Sequence, residues 1–266
     1  MSTDAFLSLF SGCDDASPVD PMKAAQGSMR NALPARFYKD AGTDLRDGQW
    51  HLLLDGRPAR TPAKRFLAVA DRTVALALVA EWLTQADVIR AATMPLTRLL
   101  NAAIDGVALQ AEAVRDEIVR YGGNDLICYR ADAPAELVEL QAEAWDPLME
   151  WARVHLGADL MTARGIVHAE QPDSAAKGIR DAVSGVPSPV PLAALSLVTT
   201  LTGSAVIALA LASGYLDAAA AWAAAHVDED YQARIWGADD EAATRQANRR
   251  RDFDAAALVL ASQMTH

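Results

Sequence analysis

Apolar positions along this chain follow two different periods. In Trp50-His51-Leu52-Leu53-Leu54 they form an extended run, closed by Asp55-Gly56 and followed by Arg57-Pro58-Ala59-Arg60-Thr61-Pro62. An Asp-Gly pair between extended runs is the turn chemistry of a two-residue hairpin, because both central positions take positive φ. Phe66-Leu67-Ala68-Val69 reads as a further strand, and Pro58 and Pro62 belong at strand edges or ends. Order begins at Arg36-Phe37-Tyr38-Lys39, so the pattern predicts a small antiparallel sheet near the N-terminus. From Asp71 the period turns helical. Val74, Leu78, Trp82 and Gln85 share one face behind Asp71 as N-cap. Met94 to Asp105 is a second predicted helix with Pro95 in its first turn. Val107, Ala111, Val114, Ile118 and Tyr121 mark a third, stopped by Gly122-Gly123. The short apolar run Asp125 to Arg130 is predicted as a strand that rejoins the hairpin sheet and closes an N-terminal α+β domain.

Beyond Arg130 the pattern contains helices only. Pro134 opens one carrying Leu137, Leu140, Gln141, Ala144 and Leu148, with Asp146-Pro147 set to cap, restart or kink it before Gly157 ends it. No charged residue lies between Asp181 and Asp217, and Val190 to Ser213 has the length of a membrane span. Gly203-Ser204 divides that run, Ser196, Thr199, Thr200 and Thr202 suit lipid poorly, and no basic flank follows. Two short helices at the centre of a helical domain fit better, without stable membrane insertion. Leu216 to Trp236 and Asp239 to about Ser262 are the last two predicted helices. The expected class is therefore α+β: a flexible arm over residues 1–33, a sheet-containing domain over 34–130 and a helical domain over 131–266.

Composition narrows the partners. The 266 residues carry a formal net charge of −11, which repels nucleic-acid phosphates. Cys13 and Cys128 are the only cysteines, too few for a disulfide framework or a thiolate metal site. Asp4, Asp14, Asp15 and Asp20 in the first thirty residues suit neither a secretory signal nor an arginine-rich presequence, so a bacterial cytoplasm is expected.

Candidate chemistry gathers near the C-terminal end. On a continuous helix Trp222, His226, Glu229, Ala233 and Trp236 share a face, with Trp222 and Trp236 expected in the core. Gly237 stops that helix, Asp239 is set to cap the next, and Glu241 with Arg245 makes an i,i+4 pair. Asp228, Glu229, Asp239 and Glu241 suggest an alternative, a carboxylate-based hydrolase or lyase, provided they converge in a pocket. Against it, the chain has no glycine-rich phosphate loop, no Gly-x-Ser-x-Gly and no His-x-x-x-His pair among His51, His155, His168, His226 and His266. Cys128 sits in an apolar run where thiols are inert. No catalytic residue, metal ligand or cofactor is assigned.

Several segments in order resemble one family: Arg36-Phe37-Tyr38-Lys39; Leu54-Asp55-Gly56-Arg57-Pro58 with Thr61-Pro62; Glu81-Trp82 with Gln85; and Met94-Pro95-Leu96-Thr97-Arg98 with Asn101 and Asp105. Asp125-Leu126 with Cys128-Tyr129-Arg130, Gln141 with Trp145-Asp146-Pro147, and Gly203-Ser204 follow. Asp228-Glu229 with Gln232 and Trp236-Gly237 with Asp239, Glu241 and Ala242 complete the series. Over about residues 36 to 257 the chain resembles the assembly chaperones of the F-type ATP synthase that bind the free α subunit of its catalytic head. The resemblance implies a sheet-containing domain followed by a helical one, and a chaperone rather than an enzyme. Its partner is implied to be the α subunit, whose β-facing surface is shielded until β replaces the chaperone. It also implies partner-binding residues Glu241, Asp239 and Glu229, with Trp236, Asp228 and Gln232 behind them. By spacing alone these positions serve contact and helix capping equally well. Eukaryotic members of the family work in mitochondria.

Overall fold

The computed structural model describes residues 33–165, 169–237 and 239–263. The expected arm, apart from its last residue, lies outside these residues, as do His168 and His266. The chain forms two compact units, one ending at Asp105 and the other beginning at Gly106.

In the first unit β1 (Ala41–Arg46), β2 (Gln49–Leu54), β3 (Arg57–Pro58) and β4 (Ala68–Val69) make an antiparallel sheet in which β1, β3 and β4 all pair with β2. Both hairpin turns are Asp-Gly with two positive φ angles, 51° and 76° at Asp47-Gly48 and 47° and 76° at Asp55-Gly56, the conformation that matches strand twist. Helix α1 (Arg72–Leu83) starts at Asp71, whose carboxylate accepts the Val74 N–H. Leu52, Leu67, Val69, Val74 and Leu78 form its buried seam with the sheet.

Helix α2 (Pro95–Asp105) has its cap supplied from elsewhere. Glu81 of α1 accepts the N–H groups of Leu96 and Thr97 at 2.8 Å each and the Thr97 hydroxyl. Two donors that a helix start leaves unpaired are thereby satisfied by a negative charge at its positive end. Burial nevertheless pushes the Glu81 carboxyl above its usual range. The neighbouring Trp82 indole donates to Thr97 Oγ1, and the Tyr38 hydroxyl donates to the Trp82 carbonyl at 2.7 Å. Thr61 donates to Asp105 at 2.7 Å.

The second unit is built on helices α3 (Ala111–Gly122), α4 (Ala135–Trp151), α5 (Asp173–Ser184), α6 (Val190–Thr202), α7 (Ala205–Ala212), α8 (Ala218–Ala225), α9 (Val227–Trp236) and α10 (Asp240–Ser262). Its centre is α7, which touches α3, α4, α5, α6, α8 and α10 and buries every residue from Ala205 to Leu211. Its sequence is only alanine, valine, isoleucine and leucine because no side of it meets water. Gly203, at φ 69°, ends α6, and Ser204 caps α7 by accepting the Ile207 N–H at 3.0 Å. The long apolar run is thus two helices of 13 and 8 residues. Among the described residues no helix is long and apolar enough to cross a membrane.

Two expectations change. The run Leu126 to Arg130 does not rejoin the hairpin sheet. Leu126–Cys128 is a 3₁₀ turn, and β5 (Tyr129–Arg130) pairs in parallel with β6 (Ala163–Arg164). The cause is Asp125, fully buried, which accepts the Ile127 N–H at 3.3 Å and the Val206 N–H at 3.0 Å. One carboxylate curls the apolar run and caps α7. Helix Leu216 to Trp236 is also broken, at His226. Its Nδ1 donates to the Trp222 carbonyl at 2.9 Å, the acceptor its own amide would use in a continuous helix. The amide turns to the Ala223 carbonyl instead, and α8 ends with His226 outside helical geometry at φ −120° and ψ 20°.

Helix α5 follows Pro172. It packs so closely that a Cβ on Gly178 would lie 2.3 Å from the Leu156 carbonyl oxygen, so only glycine fits.

Candidate partner-binding surface

The acidic stretch begins where the core ends. Trp222 is buried, with the His226 ring stacked on it at 3.8 Å and Phe253 edge-on at 5.2 Å. Past His226 the burial stops. No residue of α9 is buried, and the first buried residue of α10 is Phe253. Ala242 and Ala243 lie in the open. Between the core and Phe253 the chain makes an exposed helical corner.

Its local order comes from capping. Asp228, Glu229 and Asp230 occupy the first turn of α9, where carboxylates meet the positive helix end. Gly237 ends α9 at φ 86° and ψ 157°, a region closed to other residues. Asp239 then caps α10 by accepting the Glu241 and Ala242 N–H groups at 3.4 and 3.3 Å. Glu241 pairs with Arg245 at 2.6 Å. At the other end of the corner the Arg249 guanidinium donates to the Leu201 carbonyl at 2.6 Å, tying α10 back to α6.

Asp228 holds the corner to the core. It accepts the Gln141 amide at 2.7 Å, and buried Gln141 accepts the Ala131 N–H at 2.8 Å. Beside them Arg130 pairs with Asp146 at 2.8 Å, and its guanidinium lies 5.3 Å from the Trp145 ring centre. Trp145 has no exposed surface, and its indole donates to the Ala224 carbonyl at 2.7 Å.

The expectation that Trp236 is core is wrong: it is 85% exposed, and Ile235 beside it 51%. The break at His226 removes Trp236 from the face that Trp222 occupies. Glu229 and Gln232 are also exposed. Of the six residues singled out, Trp236, Glu229, Gln232, Asp239 and Glu241 are each exposed along the stretch from α9 into α10, and Asp228 is half-buried against Gln141. Ile235, exposed beside Trp236, is a further candidate, and its signal in the sequence is an Ile-Trp pair immediately before a helix-ending glycine.

None of the cavities found among the described residues is lined by Asp228, Glu229, Asp239 or Glu241. Asp228 is engaged by Gln141, Asp239 by backbone and Glu241 by Arg245. The groove beside α9 is lined by Glu143 and Asp230 instead. Among the described residues no group of His, Cys, Asp and Glu has the arrangement of a metal site. Burial and the nearby Asp125 charge push the Cys128 thiol up to about 12, far from a reactive thiolate.

A sequence profile described as ATP12 chaperone protein matches residues 35–153. The mitochondrial protein atp12 of Schizosaccharomyces pombe is 27% identical over 219 residues, covering 78% of this chain and 75% of that protein. The crystal structure of Atp12 from Paracoccus denitrificans superposes with a TM-score of 0.78 at 39% identity, covering 86% of this chain and 98% of that one. That of the Atu1473 protein, a chaperone candidate from Agrobacterium tumefaciens, gives 0.82 at 43% identity, covering 98% and 96%.

Proposed function

The chain belongs to the ATP12 chaperone family, and from that membership we propose that it is an assembly chaperone of the F-type ATP synthase that binds the free α subunit. In this reading it covers the β-facing surface of the α subunit until β takes its place, performs no catalysis and acts in a bacterial cytoplasm. The carrying observation is Trp236, 85% exposed on a corner whose backbone is fixed by caps at both sides of the turn. A large aromatic surface left in water next to carboxylates has the composition of an interface anchor with a polar rim. An α subunit without its β neighbours exposes apolar area that promotes aggregation.

Glu241, Asp239, Glu229 and Gln232 form the rim of that anchor, and Asp228 sets its orientation through Gln141. A patch of this kind binds well enough to compete with self-association and yields to the larger native interface. Pull-down of separately expressed α and β subunits by the tagged chain tests the reading. Capture of the α subunit alone is the expected result. Equal aggregation of the α subunit with and without this chain would overturn it.

A further inference from the structure

Beside the acidic corner the second unit carries a groove of about 790 Å³ between α4 on one side and α8 and α9 on the other. Its floor and walls are apolar: Leu140, Ala144 and Leu148 from α4, and Ala220, Ala223 and Val227 from the facing helices. Its volume lies within the range of ligand pockets, roughly 300–1,000 Å³. Yet it is an open trough with helical walls, and it lacks the few convergent polar groups that orient a small molecule.

The charges at its edge are uneven. Among the described residues the one cation of the lining, Arg234, is paired with Glu136 at 2.7 Å and held over the Tyr231 ring at 5.1 Å. Glu143 on α4 and Asp230 on α9 line the same groove, and neither has a side-chain partner among the described residues. The rim therefore presents net negative charge around an apolar floor.

We propose that this groove receives an amphipathic helix of the client polypeptide, apolar face inward, with lysine or arginine on the flank that meets Glu143 and Asp230. An extended segment finds no strand among the described lining residues to pair with: the walls are helical except at Tyr215 and Leu216, whose N–H groups already donate to the Ala210 carbonyl. A segment entering the groove must satisfy its own N–H and C=O groups, which a helix does. The Trp236 corner and the groove share α9, so one client can engage both. This inference rests on the chaperone reading above, and the experiment separates the two.

The full chain is titrated with the isolated α subunit and with a synthetic Leu/Lys amphipathic peptide of about 15 residues, long enough to be helical; a Leu/Glu peptide of the same pattern is the control. Ala223→Trp fills the groove from an exposed position, and the double variant Glu143→Lys with Asp230→Lys reverses its rim without touching the core. We expect the wild-type chain to bind the α subunit and the Leu/Lys peptide but not Leu/Glu. Each variant should weaken both ligands about tenfold or more, with an unchanged melting temperature. If Ala223→Trp does not fold, the rim variant decides alone. The α subunit bound equally by wild type and variants overturns the groove proposal and leaves the chaperone reading standing. Loss of Leu/Lys binding in the variants, with no α binding by wild type, overturns the chaperone reading instead. Equal binding of the Leu/Lys and Leu/Glu peptides overturns the assignment of a basic flank.

Discussion

Within the second unit Trp145 and Trp236 stand at opposite extremes. Trp145 has no exposed surface, bonds a backbone carbonyl and lies beneath the Arg130 guanidinium. Trp236 is 85% exposed at the end of a helix that buries nothing. The same division runs through the residues that carry the family resemblance. Glu81, Thr97, Asp125, Gln141 and Trp145 are engaged in fixing helix starts and closing turns. Their chemistry is used inside the fold and is closed to a partner. Glu229, Gln232, Trp236 and Glu241 are open. Motif residues thus divide by burial into those that build the scaffold and those left in solvent.

The comparison can be broken most forcefully at Trp145. Trp145→Ala removes a fully buried ring and unpairs the Ala224 carbonyl, and should cost about 3–5 kcal/mol of stability, read by denaturant unfolding. A loss as small as that expected for Trp236 would erase the distinction.

Asp125 should make the scaffold sensitive to pH. Burial raises its carboxyl from 3.8 to about 6. A raised folded-state value means its favourable contribution is complete below pH 3.8 and is lost as pH rises through about 6. Relative to Asp125→Asn, the wild type should therefore lose about 2 kcal/mol between pH 4 and pH 7. Stability profiles of the two that run parallel would contradict the assignment.

Gln141→Ala should cost about 1–3 kcal/mol, because it leaves the Ala131 N–H without its acceptor. It also frees Asp228, so amides of α9 should exchange hydrogen faster while those of α7 remain protected. Uniform loss of protection would mean that α9 is not a separately held element.

Glu241→Lys removes an exposed i,i+4 pair and should change stability by less than about 1 kcal/mol, while weakening capture of the α subunit about tenfold. Equal loss of both would assign Glu241 to capping alone.

Trp236→Ala should have the smallest effect on folding, within about 0.5 kcal/mol. Capture of the α subunit should nevertheless fall by about 2 kcal/mol, or some 30-fold. A variant that unfolds readily would show that the ring packs after all; one that captures normally would show that another surface binds.

Local chemistry was enough to read much of the fold from the chain. Asp55-Gly56 demanded positive φ angles, Asp71 and Asp239 announced helix starts, and Gly203-Ser204 divided an apolar run of membrane-span length. Each of these signals is complete within a few residues. What the sequence could not decide was anything that depends on a distant partner. The acceptor for the α2 start comes from Glu81 on another helix, and Asp125 turns inward because Val206 lies 81 positions away. His226 breaks its helix with a side-chain bond that periodicity cannot register. That break took Trp236 out of the core, since spacing assigns a face only while the helix continues. The sequence determined which residues carry charge or aromatic area; tertiary structure, through contacts between distant positions, determined which of them remain in water.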